Sequence, residues 1–272
     1  MSRILRGLLA AVLLLGLAGL ALGADLDQIK SRGKLVAATS GNLPPNTFVD
    51  SNNELTGYDI EVGRFIGKEL GIEVDIQRLD WKGILPGLQT GRFDAVFSNV
   101  NITKERLGVF EYSIPYSRAA VVAVVRVGVQ GVNGYKNLAG KRVGGISGGN
   151  DGEIPARAIA KEYGDFASFK GYPGYAEMFT DMRAGRLDAI IAPDLAAADY
   201  IRQNPGVAEI RGEPYQVRFV GVPMQKGSVK LKAAVDAAIR KMRDSGLLDQ
   251  RAEHYFGIAG FSKQLIDRLP DL

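Results

Sequence analysis

The sequence predicts an α/β protein of two lobes with mostly parallel sheets, and three observations predict it. Strand-like runs alternate with runs of helical period. A strand-turn segment and a helix-Gly-strand segment each occur twice along the chain. Two extended β-branched runs, residues 119–127 and 217–222, stand where the chain would leave one lobe and return to it.

The chain opens with Arg3 and Arg6, followed by residues 8–22, almost entirely Leu, Ala, Val and Gly, and then Gly23 before Ala24. A basic start, an apolar run and small residues at a cleavage position make the pattern of a secretory signal peptide, expected to span 1–23. The apolar run is shorter than the ~20 residues that a membrane-spanning helix needs. No cysteine stands at the cleavage position to carry a lipid.

The first repeated segment pairs Gly33-Lys34-Leu35-Val36 with Gly140-Lys141-Arg142-Val143. Each reads as a short strand entering a turn of Gly, Ser and Asn. The second pairs Gly91-Arg92-Phe93-Asp94-Ala95 with Gly185-Arg186-Leu187-Asp188-Ala189, each preceded by a helical segment and followed by a buried strand. Val62, Phe65, Ile66 and Leu70 form one helical stripe, closed by Gly71. Tyr175, Met178, Phe179 and Met182 form another, ahead of Gly185. After the second β-branched run, Ser228 is placed to cap a helix that carries Leu231, Val235, Ala238 and Met242 on one face. The two crossings imply a hinge, and a cleft between lobes is a natural place for a small ligand. The expected lobes are 24–119 with 219–272, and 120–218.

Composition excludes several functions. With no cysteine there is no disulfide, thiol chemistry or cysteine metal site, and one histidine, His254, cannot form a histidine cluster. We therefore expect no metal and no cofactor. A formal charge of +4, two units of which leave with the leader, is not the basic excess of a nucleic-acid binder.

Several landmarks now stand in order: Gly33-Lys34-Leu35-Val36, Leu55-Thr56-Gly57-Tyr58-Asp59-Ile60, Asp80-Trp81, Leu85-Pro86-Gly87-Leu88, Gly91-Arg92-Phe93-Asp94-Ala95, Ile102-Thr103-Lys104-Glu105-Arg106, Tyr112-Ser113-Ile114-Pro115-Tyr116 and Tyr255-Phe256-Gly257. Across nearly all of the mature chain they resemble the amino-acid-type periplasmic solute-binding proteins of ABC importers, extracellular solute-binding family 3. The resemblance implies a two-lobed periplasmic-binding-protein fold with two hinge crossings, type II. It implies a monomer in the periplasm that closes on a small zwitterionic ligand, an amino acid or analogue, and delivers it to an ABC transporter permease.

The resemblance also implies roles for particular residues. Arg106 follows a strand end, where open α/β sheets bind ligands. A guanidinium there can grip a carboxylate through paired, charge-assisted hydrogen bonds, and in the family this arginine holds the ligand α-carboxylate. The bland alternative is a surface arginine paired with Glu105 or Glu111. Asp194 stands where the family binds the α-ammonium, and it could equally cap the helix that follows. Ser98, Asn99 and Asn101 occupy the family's short polar positions, or are plain turn residues. Thr103 either accompanies Arg106 or caps its helix. Gly149 and Asn150 belong to a Gly-rich turn whose backbone N–H groups suit a carboxylate. The family often has a threonine at the Gly149 position, so the amide of Asn150 would take its place, and a flexible turn is the competing reading. Trp81 is either an aromatic wall for the ligand or a core residue. Leu43 stands at a second stacking position that is usually aromatic. Ser40 replaces the acid of binders of basic ligands, which implies no strong preference for lysine, arginine or ornithine. The competing functions are a prephenate or arogenate dehydratase on the same fold, for which neither His254, Glu153 nor Glu177 is marked out as the acid, and a ligand-sensing module for a receptor.

Overall fold

The computed structural model describes residues 25–147 and 152–272. The expected leader and the turn residues Gly149 and Asn150 lie outside the described residues. Asp25 opens α1 (Leu26–Arg32) with a capping box, and Gly33, at φ 80°, ends it. Strand β1 (Lys34–Thr39) follows, then a small antiparallel sheet of β2 (Asn42–Leu43), β3 (Thr47–Val49) and β4 (Leu55–Thr56). Helix α2 (Tyr58–Leu70) buries Val62 and Ile66, packs Phe65 and Leu70 beside them, and ends at Gly71 in the left-handed conformation, as its stripe predicts. Next come β5 (Glu73–Arg78), α3 (Trp81–Gln89), β6 (Ala95–Val96), α4 (Lys104–Val109) and β7 (Phe110–Tyr112).

The second lobe contains β8 (Ser117–Arg126), β9 (Arg142–Ile146), α5 (Glu153–Tyr163), β10 (Ser168–Tyr172), α6 (Tyr175–Arg183), β11 (Ala189–Pro193), α7 (Asp194–Gln203) and β12 (Ala208–Val220). The chain then returns through β13 (Pro223–Gln225) to α8 (Val229–Asp244) and α9 (Leu247–Phe256). The strand orders are β5-β1-β6-β13-β7 and β10-β9-β11-β8-β12. In each sheet four of the five strands run in one direction, and one strand, β13 in the first sheet and β8 in the second, runs against them. The sheets thus keep the mostly parallel sense that the sequence predicts, with antiparallel pairing confined to the one reversed strand in each.

The repeated segments make the same bonds in both lobes. The Asp94 N–H donates to the Val36 carbonyl at 2.8 Å, and its carboxylate accepts the Val36 N–H at 2.7 Å. Asp188 makes both bonds with Arg142, each at 2.8 Å. Val36 is thus equivalent to Arg142, one residue away from the Val143 that the sequence repeat suggests. Leu231, Val235, Ala238 and Met242 are buried on α8 as expected. Ser228 precedes that helix, but its hydroxyl is buried and does not cap it.

The two crossings are bonded to each other. Strands β8 and β12 pair through Ser117 with Val220, Arg118 with Phe219 and Ala119 with Arg218. The register then shifts so that Val121 faces Tyr215, leaving Gln216 (φ 51°) and Val217 opposite Ala120 alone. This two-against-one arrangement is a β-bulge. Across the crossing, Leu195 at the start of α7 packs into the core of the first lobe with Tyr58, Phe256 and Phe261.

Candidate functional site

The site grows from the carboxyl ends of β1 and β6, where parallel strands leave backbone groups for a ligand. The Ser98 hydroxyl accepts the Ser40 N–H at 3.0 Å and donates to the Ser40 hydroxyl at 3.1 Å, tying the two strand ends together. Asn99 adopts a left-handed φ of 50°. Its N–H donates to the carboxylate of Asp59 at 2.6 Å. Asp59 is fully buried in the first turn of α2, and burial pushes its pKa up to about 7 against the opposing pull of the Tyr116 hydroxyl and the Asn99 amide. Asn101 bridges to Val220 of β12, so the loop is also fastened to a crossing strand. The side-chain carbonyls of Asn46, Asn99 and Asn101 are buried, and among the described residues none has a hydrogen-bond partner. Such groups are costly unless something polar meets them.

Arg106 stands on α4. Its N–H donates to the Thr103 hydroxyl at 3.2 Å, so Thr103 caps the helix. Its guanidinium donates to the Asn101 carbonyl at 3.0 Å and lies 6.0 Å from the centre of the Trp81 ring. Among the described residues it makes no ion pair; Glu111 pairs with Lys226 instead. Trp81 is 41% exposed at the start of α3, which rules out the core reading. Arg106, Trp81 and Asn101 therefore form one group on the first lobe. A second group meets across the lobes, where Leu43, Pro44, Asn46 and Asn99 face Tyr175, Pro193, Asp194 and Ala196, with Ala119, Ala120 and Arg218 from the crossings between them.

Asp194 lies in this second group with its charge already compensated. It is the first residue of α7, after Pro193 in the cap position. One carboxylate oxygen accepts from the Arg118 guanidinium, and the other accepts the Ala120 N–H at 3.1 Å. Ala120 is the residue opposite the bulge, so its N–H is available to a side chain. Burial raises the Asp194 pKa, and Arg118 acts against that rise.

The sequence missed Asp59 and Arg118. Asp59 sits inside a landmark that served only to mark the fold. Arg118 is a buried charge beside the apolar run of residues 119–125, and that mismatch was the available signal. His254, the one histidine, is exposed on α9 and does not line the cleft described.

Known proteins agree with this architecture. The L-cystine-binding protein TcyJ of Escherichia coli (strain K12) is 30% identical over 256 residues, covering 93% of this chain and 94% of that protein. The crystal structure of YckB from Bacillus subtilis superposes with a TM-score of 0.79 at 28% identity, covering 90% of this chain and 98% of that one. The L-cystine solute receptor of Neisseria gonorrhoeae, unliganded and open, gives a TM-score of 0.74 at 28% identity, covering 86% and 97%. The family model of the bacterial extracellular solute-binding proteins, family 3, matches residues 35–258. The chain belongs to that family.

Proposed function

We propose that this protein binds a small zwitterionic amino acid or analogue in the periplasm and hands it to an ABC transporter permease. The observation that carries this reading is Arg106. It is a guanidinium fixed by the Asn101 carbonyl at a strand end, beside an exposed tryptophan and with no ion pair among the described residues. A ligand carboxylate would take the remaining donors of the fork. The polar loop of Ser98, Asn99 and Asn101 supplies further hydrogen bonds, and Asp194 across the cleft faces the ammonium end. Leu43 offers an apolar wall. To Gly149 and Asn150, outside the described residues, we assign the role that the family resemblance implies, hydrogen bonds to the ligand carboxylate. We assign 24–119 with 219–272 to one lobe and 120–218 to the other, with residues 1–23 as a cleaved leader. The protein works as a monomer, by binding rather than turnover.

Two of the relatives are named for L-cystine, which makes L-cystine the first ligand to test. A thermal-shift screen of ligand-stripped protein against cystine, the common amino acids and related zwitterions checks the reading. A ligand present at ~100 times its dissociation constant adds ~2.7 kcal/mol to stability, a clear rise in Tm. A hit whose shift is clearly reduced by Arg106→Ala supports the proposal. No hit among zwitterions, or a hit indifferent to that substitution, rejects it.

A further inference from the structure

The cleft contains a charge arrangement that the amino-acid reading does not require. Asp194 is the carboxylate among the described residues that line the inter-lobe contact, and Arg118 compensates it from a neighbouring strand. Both side chains are nearly inaccessible, at 10% and 6% exposure. Arg118 is held in place from the other side. Its Nε donates to the Gln264 side-chain carbonyl at 2.7 Å, and its guanidinium lies 5.7 Å from the centre of the Phe261 ring. The pair is therefore built into the crossing, with partners on both lobes, and is not a transient surface contact.

A carboxylate already matched by a buried guanidinium presents little net charge to a ligand. It can still accept a hydrogen bond from an ammonium, since each oxygen has more than one acceptor position. It cannot neutralise a second positive charge, and the lining of the same contact already includes Arg218. We propose that Arg118 determines the charge preference of this site: by compensating Asp194 it admits ligands whose charges balance or are negative overall and rejects cationic amino acids. This inference rests on the amino-acid reading above.

The test is isothermal titration of the full mature protein, stripped of ligand, with a neutral, a cationic and an anionic series of amino acids. Wild type should bind within the neutral or anionic series and reject lysine, arginine and ornithine. Arg118→Met leaves Asp194 uncompensated and should bring cationic binding closer to neutral binding by ten-fold or more. Removing one partner of a buried pair can unfold a protein, so Asp194→Asn provides an independent arm of opposite sign. It should move the preference towards glutamate and aspartate by a similar factor. The double variant Arg118→Met with Asp194→Asn is neutral again and should return to the wild-type preference. If folded single variants keep the wild-type preference, the inference is overturned while the amino-acid reading stands. If wild type binds none of the three series, both fail together. Wild-type protein that binds cationic amino acids best overturns the inference alone.

Discussion

The backbone N–H of Asn99 donates to the carboxylate of Asp59 at 2.6 Å, beneath the loop that forms the site. The acid is fully buried and its pKa is pushed up to about 7. The folded protein therefore keeps a proton that the unfolded chain, with an ordinary aspartate, loses near pH 4. Stability contributed by this group should fall as the pH rises from about 4 to about 7, by on the order of 4 kcal/mol in all. Asp59→Asn cannot ionise, so the slope of stability against pH in that window should be flatter than in wild type. Urea unfolding at several pH values would show it, and equal slopes would contradict the assignment.

Arg106 and Trp81 predict separable effects on binding. Loss of a charge-assisted pair of hydrogen bonds costs about 1.5–3 kcal/mol, so Arg106→Ala should weaken ligand binding on the order of 10- to 100-fold. Trp81→Ala removes only one wall and should cost less. Trp81 is also the one tryptophan of the sequence. Because it is exposed beside the guanidinium, intrinsic fluorescence should shift to shorter wavelength on ligand binding, and a titration read this way should agree with calorimetry.

Gly57 predicts a backbone effect. Its φ is 123°, and a Cβ built there would stand 2.4 Å from the Asn46 carbonyl oxygen. Gly57→Ala combines an unfavourable conformation with a clash against a residue of the cleft. It should lower stability by about 1–3 kcal/mol and weaken binding as well, measurable by denaturant unfolding and titration.

Asp94 and Asp188 make equivalent backbone bonds in the two lobes but differ in burial, their side chains being 4% and 30% exposed. Removing Asp94 takes away the buried acceptor of the Val36 N–H, whereas water can replace part of what Asp188 provides. Asp94→Ala should therefore cost about 2 kcal/mol or more, and Asp188→Ala less. A comparison of the two unfolding midpoints checks the order.

These same aspartates show what could be read from the chain. The Gly-Arg-x-Asp repeat was visible because a short motif with a fixed bonding role keeps its letters. The one-residue offset between Val36 and Arg142 was not visible, because register is decided by strand pairing and not by the resemblance of two strands. The helical stripes were legible from period alone, and Gly71 from its need for a left-handed φ. The Arg118–Asp194 pair was not legible, since its partners are 76 residues apart and meet only when the crossings are paired. Ser228 illustrates the opposite failure: a favourable residue at a cap position turned its hydroxyl into the protein instead.

The crossings are two strands bonded into one ribbon, with a bulge opposite Ala120. A hydrogen-bonded ribbon bends readily across its flat face and resists shear within its plane. The lobes are thus joined by one stiff connection and not by two loose tethers.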